Sequence, residues 1–132
     1  MSALRRILSV EDDPDIRELL AFSLGEVGGY EVCCCGGAAE ALQRVEAFAP
    51  ELLLLDVMMP VMSGPELLAE LRRLPTVRDL PVILMTAKSM PDELAALMEH
   101  AVTGIIVKPF DPISLPNDIA MYWRLAREQR GG

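Results

Sequence analysis

The chain has 132 residues, 52% of them hydrophobic and only 5% aromatic, with 20 acids against 12 bases and a net charge of −8. That length suits one domain with an aliphatic, methionine-filled core. The acidity argues against non-specific nucleic-acid binding, which needs a basic face, and against an anionic membrane surface. The opening "MSALRRILSV" lacks the apolar run of a secretion signal, and no segment reaches the length of a membrane span, so a cytoplasmic location is expected.

"RRILSV" (Arg5–Val10) reads as a strand. In "DDPDIRELLAFSLGEVGG", Asp13 suits an N-cap and Pro14 a first helical residue. Ile16, Leu19, Leu20 and Leu24 then share a helical face, and Gly28-Gly29 ends it. "YEVCCC" is a second strand, followed by a helix marked by Ala38, Ala41, Leu42 and Val45. "ELLLLD" is a third strand. Pro65 opens a third helix with Leu67, Leu68, Leu71 and Leu74 inward. "LPVILMTA" is a fourth strand. Pro91 opens a fourth helix, whose stripe Leu94, Leu97, Met98 and Ala101 reads as core. "GIIVKP" is a fifth strand, and a last helix spans about Leu115 to Glu128, leaving "EQRGG" as a frayed end.

Strict strand–helix alternation predicts an α/β domain: a parallel sheet with helices on both faces. The third and fourth strands are apolar throughout, as strands covered on both sides are. Cys33, Cys34 and Cys35 are adjacent, with no His or second Cys cluster at metal-binding spacing, and read as small hydrophobes of a strand. The whole chain, 1–132, is expected to form one domain with its core over about 5–127.

Open parallel sheets bind ligands at the carboxyl ends of their strands. The first strand ends in Glu11-Asp12-Asp13, the third in Asp56, the fourth in Thr86 and the fifth in Lys108-Pro109. Four strand ends thus bring several acids, a hydroxyl and an ammonium to one crevice. Crowded carboxylates repel, so keeping them ionised takes cations. Lys108 supplies one. The remaining donors are oxygens, which implies a hard divalent ion; Mg2+ fits, because it needs few protein ligands and keeps waters.

The stretches "ILSVEDDPDIRELL", "LLLLDVMMPVMSGPELL", "VILMTA" and "VKPF" resemble, in order, the receiver domain of bacterial two-component response regulators, from about Arg5 to Arg127. The resemblance implies the flavodoxin-like (βα)5 three-layer sandwich with sheet order 2-1-3-4-5. It makes Asp56 the phosphoacceptor. Glu11, Asp12, Asp56 and the backbone carbonyl of Met58 become the Mg2+ ligands. Thr86 would hydrogen-bond the phosphoryl group, and Lys108 would form an ion pair with it or with Asp56. A cis Lys108–Pro109 bond is implied too. The phosphoryl donor would be a sensor histidine kinase or a histidine phosphotransfer protein. Such a domain is not an enzyme toward a separate substrate; it assists its own aspartyl phosphorylation and dephosphorylation.

One position departs from the family. Where receivers carry Tyr or Phe three residues before the lysine, this chain has Ile105, with no ring to swing and no hydroxyl. Phosphotransfer is expected to survive, with a weak or different coupling to the face built by the fourth helix, fifth strand and fifth helix. Asp13 reads as a helix cap, Asp111 as the start of the last helix, and His100 as a helix-end residue rather than a phosphodonor. With an initiating Met and no segment left for an output domain, a stand-alone receiver is expected, acting by contact with a protein target or by phosphorelay. The alternative is a degenerate receiver that binds protein without phosphorylation. Two other classes fit poorly. A haloacid-dehalogenase-type phosphatase needs a second acid where Met58 stands, and a flavin carrier needs a phosphate loop where the first strand ends in acids.

Overall fold

The structure, a computed structural model, describes residues 3–131. Five strands, β1 (Arg6–Val10), β2 (Glu31–Cys35), β3 (Leu52–Asp56), β4 (Val82–Thr86) and β5 (Gly104–Val107), form one parallel sheet in the order 2-1-3-4-5. Its helices are α1 (Pro14–Leu20), α2 (Ala38–Phe48), α3 (Gly64–Leu71), α4 (Pro91–Met98) and α5 (Leu115–Gly131). This is the flavodoxin-like (βα)5 sandwich.

Successive side chains of a strand point to opposite faces, and β3 shows what the four leucines do. Leu53 and Leu55 join Leu8, Val10 and Leu84 beneath α2 and α3. Leu52 and Leu54 join Ile7, Ile83 and Met85 against Leu20, Leu24, Ile119 and Trp123 on the other side. All four β3 leucines are fully buried, each worth about 1.5–3 kcal/mol over an exposed position. The strand is thereby fixed from both sides right up to Asp56.

Local signals set the helix starts. The Asp13 carboxylate accepts from the N–H groups of Asp15 (2.9 Å) and Ile16 (3.3 Å), with Pro14 in the first turn. Helix α3 opens one residue before Pro65, because Ser63 and Glu66 cap it reciprocally. That S-x-x-E pattern is legible in "SGPE". The first helix is not a continuous α-helix: Ala21–Val27 is π-helical. The wider turn sets both Ser23 and Leu24 inside, where the Ser23 hydroxyl donates to the Pro112 carbonyl at 2.6 Å. Leu19, expected inward, is 38% exposed.

Helix α4 departs most from expectation. It has no buried residue; Leu94 and Leu97 are half-buried, while Met98 and Ala101 are exposed. The helix ends at Met98, and Ala101 adopts φ 58° to turn into β5, so the last position of the stripe is not helical. The Arg72 guanidinium holds this end by donating to the carbonyls of His100 and Ala101. Leu74 likewise lies beyond α3 and is half-buried. At the other end of the chain α5 continues to Gly131, past the expected end near Glu128; Met1, Ser2 and Gly132 of the expected domain lie outside the described residues. Among the described residues no helix is long and apolar enough to cross a membrane.

Cys33 and Cys35 are buried on one face of β2, their sulfurs 3.9 Å apart, and all three cysteines are free thiols. Burial, then the neighbouring Cys33, pushes the Cys35 thiol up to about 12, so it stays protonated and packs as a hydrophobe.

Val61, in the loop after β3, holds φ 71° with its side chain fully exposed. A β-branched residue is strained there and gains no burial in return. Val61→Asn is expected to add about 1 kcal/mol of stability, seen as a higher urea midpoint at unchanged slope.

Candidate functional site

The carboxyl edge of the sheet gathers the polar residues. Glu11 directly follows β1, Asp56 and Thr86 end β3 and β4, and Lys108 follows β5. Glu11 is 1% exposed, Asp56 2% and Thr86 1%, against the rule that such groups stay wet. Carboxylate oxygens of Glu11, Asp12 and Asp56 lie within 4.8 Å of one another. The Lys108 ammonium bridges two of them, 3.1 Å from Glu11 Oε1 and 3.1 Å from Asp56 Oδ1. The Asp13 N–H donates to the other Glu11 oxygen at 3.1 Å.

These contacts have electrostatic consequences. Burial pushes the Glu11 carboxyl up; the Asp13 N–H opposes this, the Asp56 charge adds to it, and Lys108 opposes it again. Burial would pull the Lys108 ammonium down, but its bonds to Asp56 and Glu11, with their charges, outweigh that and leave it raised. The lysine is therefore firmly protonated, and Glu11 bears the cost of crowding.

The backbone around Asp56 leaves the sheet through a tight turn. Val57 N–H donates to Met85 O at 2.8 Å, and Gly64 N–H returns to Val57 O at 2.9 Å. A Cβ at Gly64 would run into the Asp56 carbonyl itself. Gly64→Ala is thus expected to cost about 1–3 kcal/mol and to displace the Asp56 backbone; a lower melting temperature with shifted Asp56 amide resonances checks both.

Thr86 Oγ1 accepts from the Lys88 N–H at 3.0 Å, so the hydroxyl proton is left to donate elsewhere. Met58 lies two residues past Asp56 and is exposed; its thioether is too soft for a hard ion, which leaves its backbone carbonyl for the ligand role expected of it. Asp13 caps α1 as expected. Asp111 makes a turn ahead of α5, its carboxylate accepting from Ile113 N–H at 2.9 Å. His100 lies past the end of α4, exposed and away from the acids. Lys108–Pro109 is cis. Two contacts escaped the sequence reading. Arg17 reaches back from α1 to the Glu11 and Asp12 carbonyls. Tyr122 packs its ring where a Cβ at Gly104 would stand. The first was open to inference, since helical side chains lean toward the N-terminus; nothing in the sequence signalled the second.

The doubly wound sheet thus carries buried acids and a lysine together at its carboxyl edge. The family of response regulator receiver domains matches residues 7–120, and the chain belongs to this family of two-component signalling domains. An uncharacterised 14.6 kDa protein of Leptolyngbya boryana, from the sodA1 3′ region, is 39% identical over 116 residues, 88% of each chain. Longer relatives named as transcriptional or DNA-binding response regulators, PhoB of Escherichia coli and Pseudomonas aeruginosa and MtrA of Mycolicibacterium smegmatis, are 35–37% identical, and the chain spans 47–48% of their length. Among solved structures, chemotaxis protein CheY4 of Vibrio cholerae superposes with TM-score 0.82 at 28% identity, covering 91% of this chain and 99% of CheY4. The response regulator TrrA of Thermotoga maritima, solved in complex with Mg2+-BeF, gives TM-score 0.75 at 34% identity over 90% of this chain and 99% of TrrA.

Proposed function

We propose that the chain is a phosphoacceptor receiver. It takes a phosphoryl group from the phosphohistidine of a sensor kinase or histidine phosphotransfer protein onto Asp56, and signals by protein contact or by passing the group on. The observation that carries this reading is the buried Asp56 carboxylate at the end of β3, bridged by Lys108 to Glu11 beside Asp12. An all-oxygen donor set of three acids suits a hard divalent ion. Glu11, Asp12, Asp56 and the Met58 carbonyl would hold Mg2+, which supplies positive charge against the phosphoryl oxygens. TrrA, in its Mg2+-BeF complex, supports the same choice of ion.

The residues divide the work as follows. An Asp56 oxygen attacks phosphorus in line, an O–P bond forms, and the P–N bond breaks with its electron pair returning to the imidazole. No general base is required, because the acceptor is a carboxylate. The transition state is loose and spreads charge over three equatorial oxygens. Lys108, already shared between Glu11 and Asp56, pairs with that charge. Thr86 donates its free hydroxyl proton to a phosphoryl oxygen. The chain thereby assists its own phosphorylation and hydrolysis, without turning over a separate substrate. Intact mass after incubation with acetyl phosphate tests this: one phosphoryl group is gained with Mg2+ and none with chelator. No gain under either condition would leave a degenerate receiver that acts by binding alone.

A further inference from the structure

Arg17 stands outside the cluster just described, yet its guanidinium meets the loop that carries two of the acids. Nη1 donates to the Glu11 carbonyl at 3.0 Å and to the Asp12 carbonyl at 3.3 Å. These carbonyls belong to the residues whose carboxylates face Asp56. Gly36, the residue after β2, lies against the same guanidinium. A Cβ there would stand 3.1 Å from Arg17 Nη1 and 3.5 Å from its Cζ. The Gly36 backbone has little room to retreat, because its N–H donates to Glu40 Oε1 at 2.8 Å. Arg44 in turn holds Glu40 at 3.0 Å.

The acids need such a hold. Three carboxylates within 4.8 Å repel one another, and loop backbone yields to that repulsion more easily than sheet. Glu11 has Lys108 and the Asp13 N–H to fix its side chain. Among the described residues no side chain pairs with the Asp12 carboxylate, so its reach toward Asp56 depends on where the Asp12 backbone stands. The Arg17 contact acts on that backbone.

We propose that Arg17 is a positioning residue for divalent-cation binding: it fixes the Glu11–Asp12 backbone so that both carboxylates converge on Asp56, and Gly36 keeps open the space its guanidinium occupies. This rests on the phosphoacceptor reading above. The charge of Arg17 is not the essential feature, since a rotating ammonium on a shorter arm cannot replace its fixed donor geometry.

Calorimetric titration with Mg2+ and amide hydrogen exchange of the metal-free protein test the proposal. Arg17→Ala is expected to weaken Mg2+ binding about 10-fold, the low end for residues that orient metal ligands, and to speed exchange at Asp12 and Asp13 without metal. Arg17→Lys should recover less than half of that loss. Gly36→Ala should weaken binding in the same direction, and the double variant should bind no worse than Arg17→Ala, because both act through one guanidinium. Arg73→Ala removes the same charge at a residue that pairs with Glu70 and touches neither the loop nor Gly36, and should leave Mg2+ affinity unchanged. A purely structural role would lower the melting temperature of Arg17→Ala while leaving its affinity alone, and that result overturns the proposal, as would additive losses in the double variant. A wild-type chain that takes up no Mg2+ overturns the phosphoacceptor reading and the proposal together. Wild-type binding matched by Arg17→Ala overturns the proposal alone.

Discussion

Asp56→Asn is expected to abolish phosphoryl uptake from acetyl phosphate under conditions where the wild-type chain gains one group. The substitution keeps the shape of the side chain and takes away what the chemistry uses. A carboxylate is ionised and nucleophilic at neutral pH; a carboxamide is neutral, and its oxygen is a poor nucleophile. The site around it should persist. The four leucines before it remain packed on both sheet faces, and Lys108 retains Glu11 at 3.1 Å. Circular dichroism should therefore match wild type while intact mass shows no adduct. Chelation of Mg2+ should produce the same null in the unaltered chain, since two of the three clustered acids remain to repel the incoming phosphoryl oxygens. An Asp56→Asn protein that still gains one phosphoryl group at the wild-type rate would move the acceptor to another acid, with Asp12 the nearest exposed enough to serve.

Much of this site was legible because strand ends are strong anchors. Once "ELLLLD" reads as a strand buried on both faces, its last residue falls on the carboxyl edge, and the same logic carries Glu11, Thr86 and Lys108 there. Alternation of strands and helices predicted a parallel sheet covered on both sides. The order 2-1-3-4-5 came from the family resemblance, since period and composition do not rank strands. What stayed hidden depends on tertiary context. The pattern Ile16, Leu20, Leu24 fits a straight α-helix as well as one that widens at Ala21, and the partner that favours the wide turn, the Pro112 carbonyl, is 89 residues away. The stripe Leu94, Leu97, Met98 has the right spacing for core, but spacing cannot say how far a short helix stands off its sheet.

Ile105 illustrates a limit of motif reading. Its side chain is half-buried and packs with the core on the α2–α3 side of the sheet, and itself has no ring to swing. The nearby aromatic comes instead from α5: Tyr122 fills the space that Gly104 leaves, and its hydroxyl donates to the Ile105 carbonyl at 3.3 Å. Any motion of β5 relative to α5 must therefore be accommodated by a contact between a ring and bare backbone, on a face where Val107 and Met121 are exposed. The ring beside this part of β5 is thus Tyr122 of α5, not a side chain of the strand itself.

Glu11→Gln should separate stability from function most sharply, raising the melting temperature of the metal-free protein at pH 7 while abolishing Mg2+ binding. Glu11 is buried, and its folded-state pKa lies above the ordinary carboxylate value of 4.5, with burial the leading cause and the Asp56 charge a further one. For a raised carboxyl the favourable contribution is complete below the unfolded value and is lost as pH climbs through the folded value. At neutral pH the ionised Glu11 thus works against the fold. A glutamine avoids that cost and can still accept from Lys108, whose ammonium keeps Asp56 at 3.1 Å, although its NH2 then faces the Asp13 N–H and that one bond is lost. The gap in melting temperature between variant and wild type should be positive at pH 7 and close as pH falls toward 4.5, where the wild-type carboxyl becomes protonated. Thermal melts across that range, read as the difference between the two proteins, cancel the opposite trends of Glu40 and Glu66, whose carboxyls are held below their ordinary values and are common to both. A gap of zero or below at pH 7 would mean that the Asp13 N–H and Lys108 together offset the burial of Glu11. The acids would then be at ease without a metal, and the physical case for a dication in this pocket would lose its main support.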